Sequence, residues 1–105
     1  MSEFLDRLRK LISEGEILIS EHGYDELADD RITAREVIAG VHDAVVVKEY
    51  PDYPKGPCIL VLQMDRAGKP IHVVWGTPKG YNRPAVLVTA YRPDPERWHN
   101  NFTKR

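Results

Sequence analysis

The side chains able to move a proton near neutral pH are few and scattered along the chain: His22, His42, His72 and His99. An unperturbed imidazole titrates close to neutrality, which suits each to general acid or base work. His22 stands in Ser20-Glu21-His22-Gly23-Tyr24-Asp25, at the start of an expected helix. It is either a helix-start side chain bonded to a neighbouring carboxylate or backbone group, or a base or substrate contact. His72 falls mid-strand, where alternation puts Ile71, Val73 and Trp75 on one face and His72, Val74 and Gly76 on the other. With the bulkier set turned toward helices, His72 looks out from the open face of a sheet. In the next strand Val86, Val88 and Ala90 suit the buried side, while Thr89 and Tyr91 share the face of His72. A polar His, Thr and Tyr cluster is one reading, and a half-buried histidine in cross-strand pairing is the other.

Cations gather later in the chain. Arg92 and Arg97 flank Pro93-Asp94-Pro95-Glu96, with Trp98 beside them. A guanidinium clamps phosphate or carboxylate in two-pronged fashion, though pairing with Asp94 or Glu96 at the surface is the commoner fate. Arg83 adds a cation for substrate in the loop Pro78–Pro84. Tyr53 and Tyr81 sit in two long loops, as aromatic residues of a binding rim do. Trp98 is either a lid on the sheet edge or a stacking surface for a nucleobase. Gly-rich phosphate loops, paired Cys-x-x-Cys, His-Glu-x-x-His and nucleophile-elbow motifs are absent. The histidine spacing makes no metal-ligand pattern, so neither metal nor cofactor is expected.

The elements that must position these groups are readable from periodicity. Ser2 can cap a helix in which Phe4, Leu5, Leu8, Leu11 and Ile12 form the apolar stripe, with Gly15 as its stop and Arg7, Arg9 and Lys10 on a solvated face. Ile17-Leu18-Ile19 is either a strand stub or the entry to the next helix, over 21–30. Thr33-Ala34-Arg35-Glu36 is a capping-box pattern opening a third helix. From Ala44 the period changes to that of strands, expected near 45–50, 58–65, 71–77 and 85–92 and separated by Pro- and Gly-rich loops. Short connections favour antiparallel neighbours. The expected fold is therefore α+β: two or three N-terminal helices on one face of a three- to four-stranded antiparallel sheet.

A chain of 105 residues leaves no room for a second domain, and residues 1–105 are expected to form one. Its one cysteine, Cys58, excludes an internal disulfide and reads as a strand-edge packing residue in a reducing compartment. The N-terminus turns acidic at once, unlike a signal peptide, and no apolar run is long enough for a membrane. A cytoplasmic location is the expectation. The formal net charge is −1, from 15 Lys and Arg against 16 Asp and Glu, without the excess of a dedicated nucleic-acid binder. The charges segregate, however. Residues 66–105 carry Arg66, Lys69, Lys79, Arg83, Arg92, Arg97, Lys104 and Arg105 against only Asp94 and Glu96, a basic half suited to RNA or an acidic partner.

Three stretches add a resemblance: Ser20-Glu21-His22 with Asp30–Val37, then Glu49-Tyr50-Pro51-Asp52, then Ile71–Val74 with Val88–Trp98. Together, over roughly residues 16–99, they resemble a bacterial domain-of-unknown-function family related to the RelE/ParE and BrnT toxin fold. That resemblance implies a compact sheet with helices on one side, in a group whose members act as ribonucleases or gyrase poisons silenced by an antitoxin. His22, His72, Tyr91 and Arg97 match its recurrent polar residues. The expected activity is metal-independent RNA cleavage within a toxin–antitoxin pair. His72 or His22 would be base or acid, Arg92 and Arg97 phosphate stabilisers, and Tyr91 a positioning group. The alternative is a non-catalytic module that binds a small protein on the open sheet face. No membrane partner is expected, and the oligomeric state is left open.

Overall fold

A computed structural model describes residues 2–96. The first helix, α1 (Glu3–Ser13), starts where the Ser2 hydroxyl accepts the Leu5 amide. That hydroxyl also donates to Glu49 at 2.7 Å, tying the helix start to the sheet. After α1 the chain runs through β1 (Ile17–Ile19), α2 (Glu21–Asp29), α3 (Ala34–Gly40) and a 3-10 turn at Val41–Asp43. Four further strands follow: β2 (Val45–Tyr50), β3 (Cys58–Met64), β4 (Pro70–Gly76) and β5 (Ala85–Tyr91). The capping box forms as its sequence pattern predicts, with Thr33 and Glu36 each satisfying the other's backbone amide.

The sheet corrects one expectation. Among the described residues it has five strands in the order β1-β5-β4-β3-β2, and β1 runs parallel to β5, so the sheet is mixed rather than antiparallel. The short-connection rule governs strands that follow one another. Between β1 and β5 lie two helices and three strands, enough chain for a parallel return. The remaining pairs, β2–β3, β3–β4 and β4–β5, are antiparallel as expected.

Helices α1, α2 and α3 contribute to one core. Leu5, Leu8, Leu11 and Ile12 of α1, Leu27 of α2 and Val37 of α3 pack with Ile59, Val61, Ile71, Val73, Trp75, Ala85, Leu87 and Ala90 of the sheet. Removing this much apolar surface from water is the main stabilising term. Polar atoms inside the core are paired. The Trp75 indole donates to the Gln63 side chain at 2.9 Å, and the Gln63 amide donates to the Val37 carbonyl at 2.8 Å. Arg9 is not simply solvated: its guanidinium donates to the carbonyls of Val41 and Ala44, fastening α1 to the 3-10 turn.

Strand β5 holds a second correction. Its register against β4 passes from Val74↔Thr89 to Trp75↔Leu87, which leaves Val88 as an extra residue. A one-residue slip moves side chains to the opposite face. Ala85, Leu87 and Ala90 therefore face the core, whereas Val86 and Val88 join Thr89 and Tyr91 along a groove on the other side.

Candidate functional site

The sheet face turned away from the helices forms an open groove of about 940 Å³. Its floor alternates out of step with the core: Cys58 and Leu60 of β3, Val74 and Gly76 of β4, and Val86, Val88, Thr89 and Tyr91 of β5. One wall is the start of α2, with Ser20 and His22. Val47, Lys48 and Tyr50 of β2 line the opposite side, joined by Tyr53 and Lys55 from the loop that follows.

Backbone contacts hold that loop in place. Gly56 has φ +127°, and a Cβ there would collide with the Thr77 carbonyl. Thr77 and Lys79 donate their amides to the carbonyls of Pro57 and Lys55, both at 3.2 Å. The β2–β3 loop is thus laced to the loop after β4, and Tyr53 and Lys55 sit on a supported rim rather than a free one. The Lys48 ammonium lies 5.2 Å from the centre of the Tyr50 ring, a cation–π arrangement.

Charge is sharply sorted here. The chain as a whole has one more acid than base. Yet among the described residues the lining contains Lys48 and Lys55 and neither an aspartate nor a glutamate. A low-dielectric floor beneath cations of one sign concentrates attraction for an anion. Burial pushes the Cys58 thiol pKa up, so the floor stays neutral there. Among the described residues no three His, Cys, Asp or Glu side chains gather as a metal site requires.

The structure brings some of the sequence-identified residues together and separates others. His22, Tyr53 and Tyr91 line the groove. The His22 side chain is 66% exposed, with Nε2 3.6 Å from the Glu26 carboxylate one turn along. His72 lies opposite Tyr91 and on its face, as alternation predicts, and the two rings meet edge to face with centroids 5.6 Å apart. It does not look out into solvent, however; it is completely buried.

Arg92 is engaged elsewhere. Its guanidinium donates to Asp65 at 2.9 Å and to the Asp30 carbonyl at 3.2 Å, and its amide donates to the Asp30 carboxylate. These bonds join the end of β5 to the end of α2 and to the β3–β4 turn. Asp65 is buried, and the Lys69 amide, helped by Arg92 and the Ala67 amide, holds its carboxyl below the usual range against the opposing effect of burial. Arg83 pairs with Glu16 at 3.3 Å, and Tyr81 is exposed; neither lines the groove. Arg97 and Trp98 lie outside the described residues.

Sequence reasoning passed over Lys48, Lys55 and Ser20. The signal for Lys48 was present, because strand alternation puts it on the same face as Tyr50. Lys55 and Ser20 depend on how loops fold back, which periodicity does not encode.

Residues 19–92 match the family model for a domain of unknown function, DUF4258. The chain belongs to the DUF4258 family. Neither the curated proteins nor the solved structures yield a significant match. The DUF4258 segment runs from the last residue of β1 to Arg92 and so contains every described residue that lines the groove, while α1 lies outside it.

Proposed function

We propose that this DUF4258 chain is an RNA-cleaving enzyme of the RelE/ParE and BrnT toxin type, acting through side chains in the groove. The observation that carries this reading is the groove's lining among the described residues: one imidazole, three phenols and two ammonium groups without a carboxylate, in a chain of net charge −1. Cleavage by the ribose 2′-hydroxyl needs a base for its proton, cations for the crowded phosphate and an acid for the leaving oxygen. His22 is the accessible imidazole and takes the part of base. Lys48 and Lys55 stabilise the phosphate, Arg92 being engaged by Asp30 and Asp65. Tyr91 gives the leaving 5′-oxygen its proton, and the buried His72 ring against it fixes its orientation. Tyr53 offers a face on which a base can stack.

One observation favours the alternative, a module that binds a small protein such as an antitoxin. Leu60, Val74, Val86 and Val88 give the groove an apolar floor, and Val47 extends it along one side. Inducing the protein alone in a bacterial culture separates the two. The enzymatic reading expects growth arrest, relieved by His22→Ala and by the paired Lys48→Ala, Lys55→Ala change in folded protein. Normal growth with abundant folded wild-type protein would transfer the assignment to the binding module.

A further inference from the structure

Ser20 sits between the two elements that supply the groove's reactive groups. Its amide donates to the Leu87 carbonyl at 3.1 Å, extending the β1–β5 ladder by one bond. Its hydroxyl does two further things: it accepts the Gly23 amide at 2.9 Å, capping α2, and donates to the Val88 carbonyl at 2.9 Å. A hydroxyl has one proton and two lone pairs, so both bonds coexist. Val88 is the extra residue of the β5 bulge, and Ser20 thus grips the bulge itself.

The helix start also lies unusually close to the strand. A Cβ at Gly23 would stand 2.8 Å from the Leu87 carbonyl oxygen and 3.3 Å from that of Val88. Only a glycine lets the first turn of α2 rest there. On either side of this contact stand the groove residues, His22 on the helix and Thr89 and Tyr91 on the strand. Of α2 itself only Gly23 and Leu27 are buried, so little else holds its first turn.

We propose that Ser20 is the positioning residue of the groove, holding His22 in register with Thr89 and Tyr91 through its bond to the bulge carbonyl. This inference rests on the ribonuclease reading. Reacting groups must be held closely, and a shift of about 1 Å can cost a hundredfold in rate. The hydroxyl's two bonds can be separated chemically. Ser20→Thr keeps both. Ser20→Asp keeps the acceptor that caps α2 but, once ionised, has no proton for the Val88 carbonyl.

The test measures kcat and KM for cleavage of a single-stranded RNA by wild type, Ser20→Thr and Ser20→Asp, with carbon-13 NMR of the His22 ring in each. Cooperative melting and an unchanged helix signal confirm folding. Ser20→Thr should stay within about threefold of wild type, while Ser20→Asp should lose about tenfold or more in kcat at similar KM. The His22 ring signal should shift and broaden in Ser20→Asp and return to its wild-type position in Ser20→Thr. Unchanged kcat and an unchanged ring signal in Ser20→Asp would overturn the inference. If wild type cleaves no RNA, the ribonuclease reading fails, and the ring signal alone decides whether Ser20 holds His22.

Discussion

The two faces of this sheet are built from the same strands, yet they solve opposite problems. On the helix side Ile59, Val61, Ile71, Val73, Trp75 and Leu87 have no exposure, and the polar Gln63 among them is bonded through both ends of its amide. On the groove side the floor is apolar as well, but its rim keeps His22, Lys48, Lys55 and Tyr53 in reach of solvent. A face that carries cations and aromatic rings around an apolar floor gives up burial that the core face takes in full. The difference teaches where substitution should cost stability and where it should cost only function.

The largest expected effect lies on the core face. Trp75→Ala removes a fully buried indole and strands the Gln63 carbonyl, and should lower unfolding free energy by about 3–5 kcal/mol in denaturant titrations. Next comes the junction of the faces. Ala at an exposed helical glycine usually stabilises by about 1 kcal/mol. At Gly23 the sign should reverse, with a loss of about 1–3 kcal/mol, because the new methyl meets the Leu87 carbonyl. A Gly23→Ala protein as stable as wild type would show that α2 does not rest on β5 as described.

Acid should act through the Asp65–Arg92 clamp. The folded carboxyl titrates below its unfolded value, first because of the Lys69 amide and then because of Arg92. Its contribution is therefore complete above the unfolded pKa of about 4 and is lost as pH falls through the lower, folded pKa. Glu36, lowered by the Thr33 and Arg66 amides, adds to the same trend. Urea midpoints followed from pH 7 downward should fall below pH 4, and Asp65→Asn should lessen that fall. Smallest of all should be the stability effects in the groove. His22→Ala and Lys55→Ala should change unfolding free energy by no more than about 0.5 kcal/mol, the usual range for surface positions. A large loss in either would give that residue a structural role and blur the contrast between the faces.

Much of the core face was legible in the sequence because it obeys simple periods. The stripe of α1, the Thr33–Glu36 capping box and the alternation of Ile71, Val73 and Trp75 all appear where the pattern places them. The groove was legible only in part. Alternation alone put His72 and Tyr91 on one face, but it counted straight through Val88 and so assigned Val86 and Val88 to the wrong side. A bulge leaves no mark in a run of Ala-Val-Leu-Val-Thr-Ala-Tyr. Strand β1, three residues long, finds its partner across most of the chain, and Arg92 finds Asp30 and Asp65 across distances that local pairing rules do not span. Apart from the bulge, what the sequence did not encode was chiefly the long-range contact.

The most direct test of the central claim is cleavage of a defined single-stranded RNA by purified protein, with the new ends identified by mass spectrometry. Attack by the 2′-hydroxyl predicts 2′,3′-cyclic phosphate ends, cleavage abolished by 2′-deoxy substitution at the scissile nucleotide, and a rate reduced about a hundredfold or more by His22→Ala. Intact RNA in the presence of folded wild-type protein, or cleavage that His22→Ala and the paired lysine change leave untouched, would contradict it.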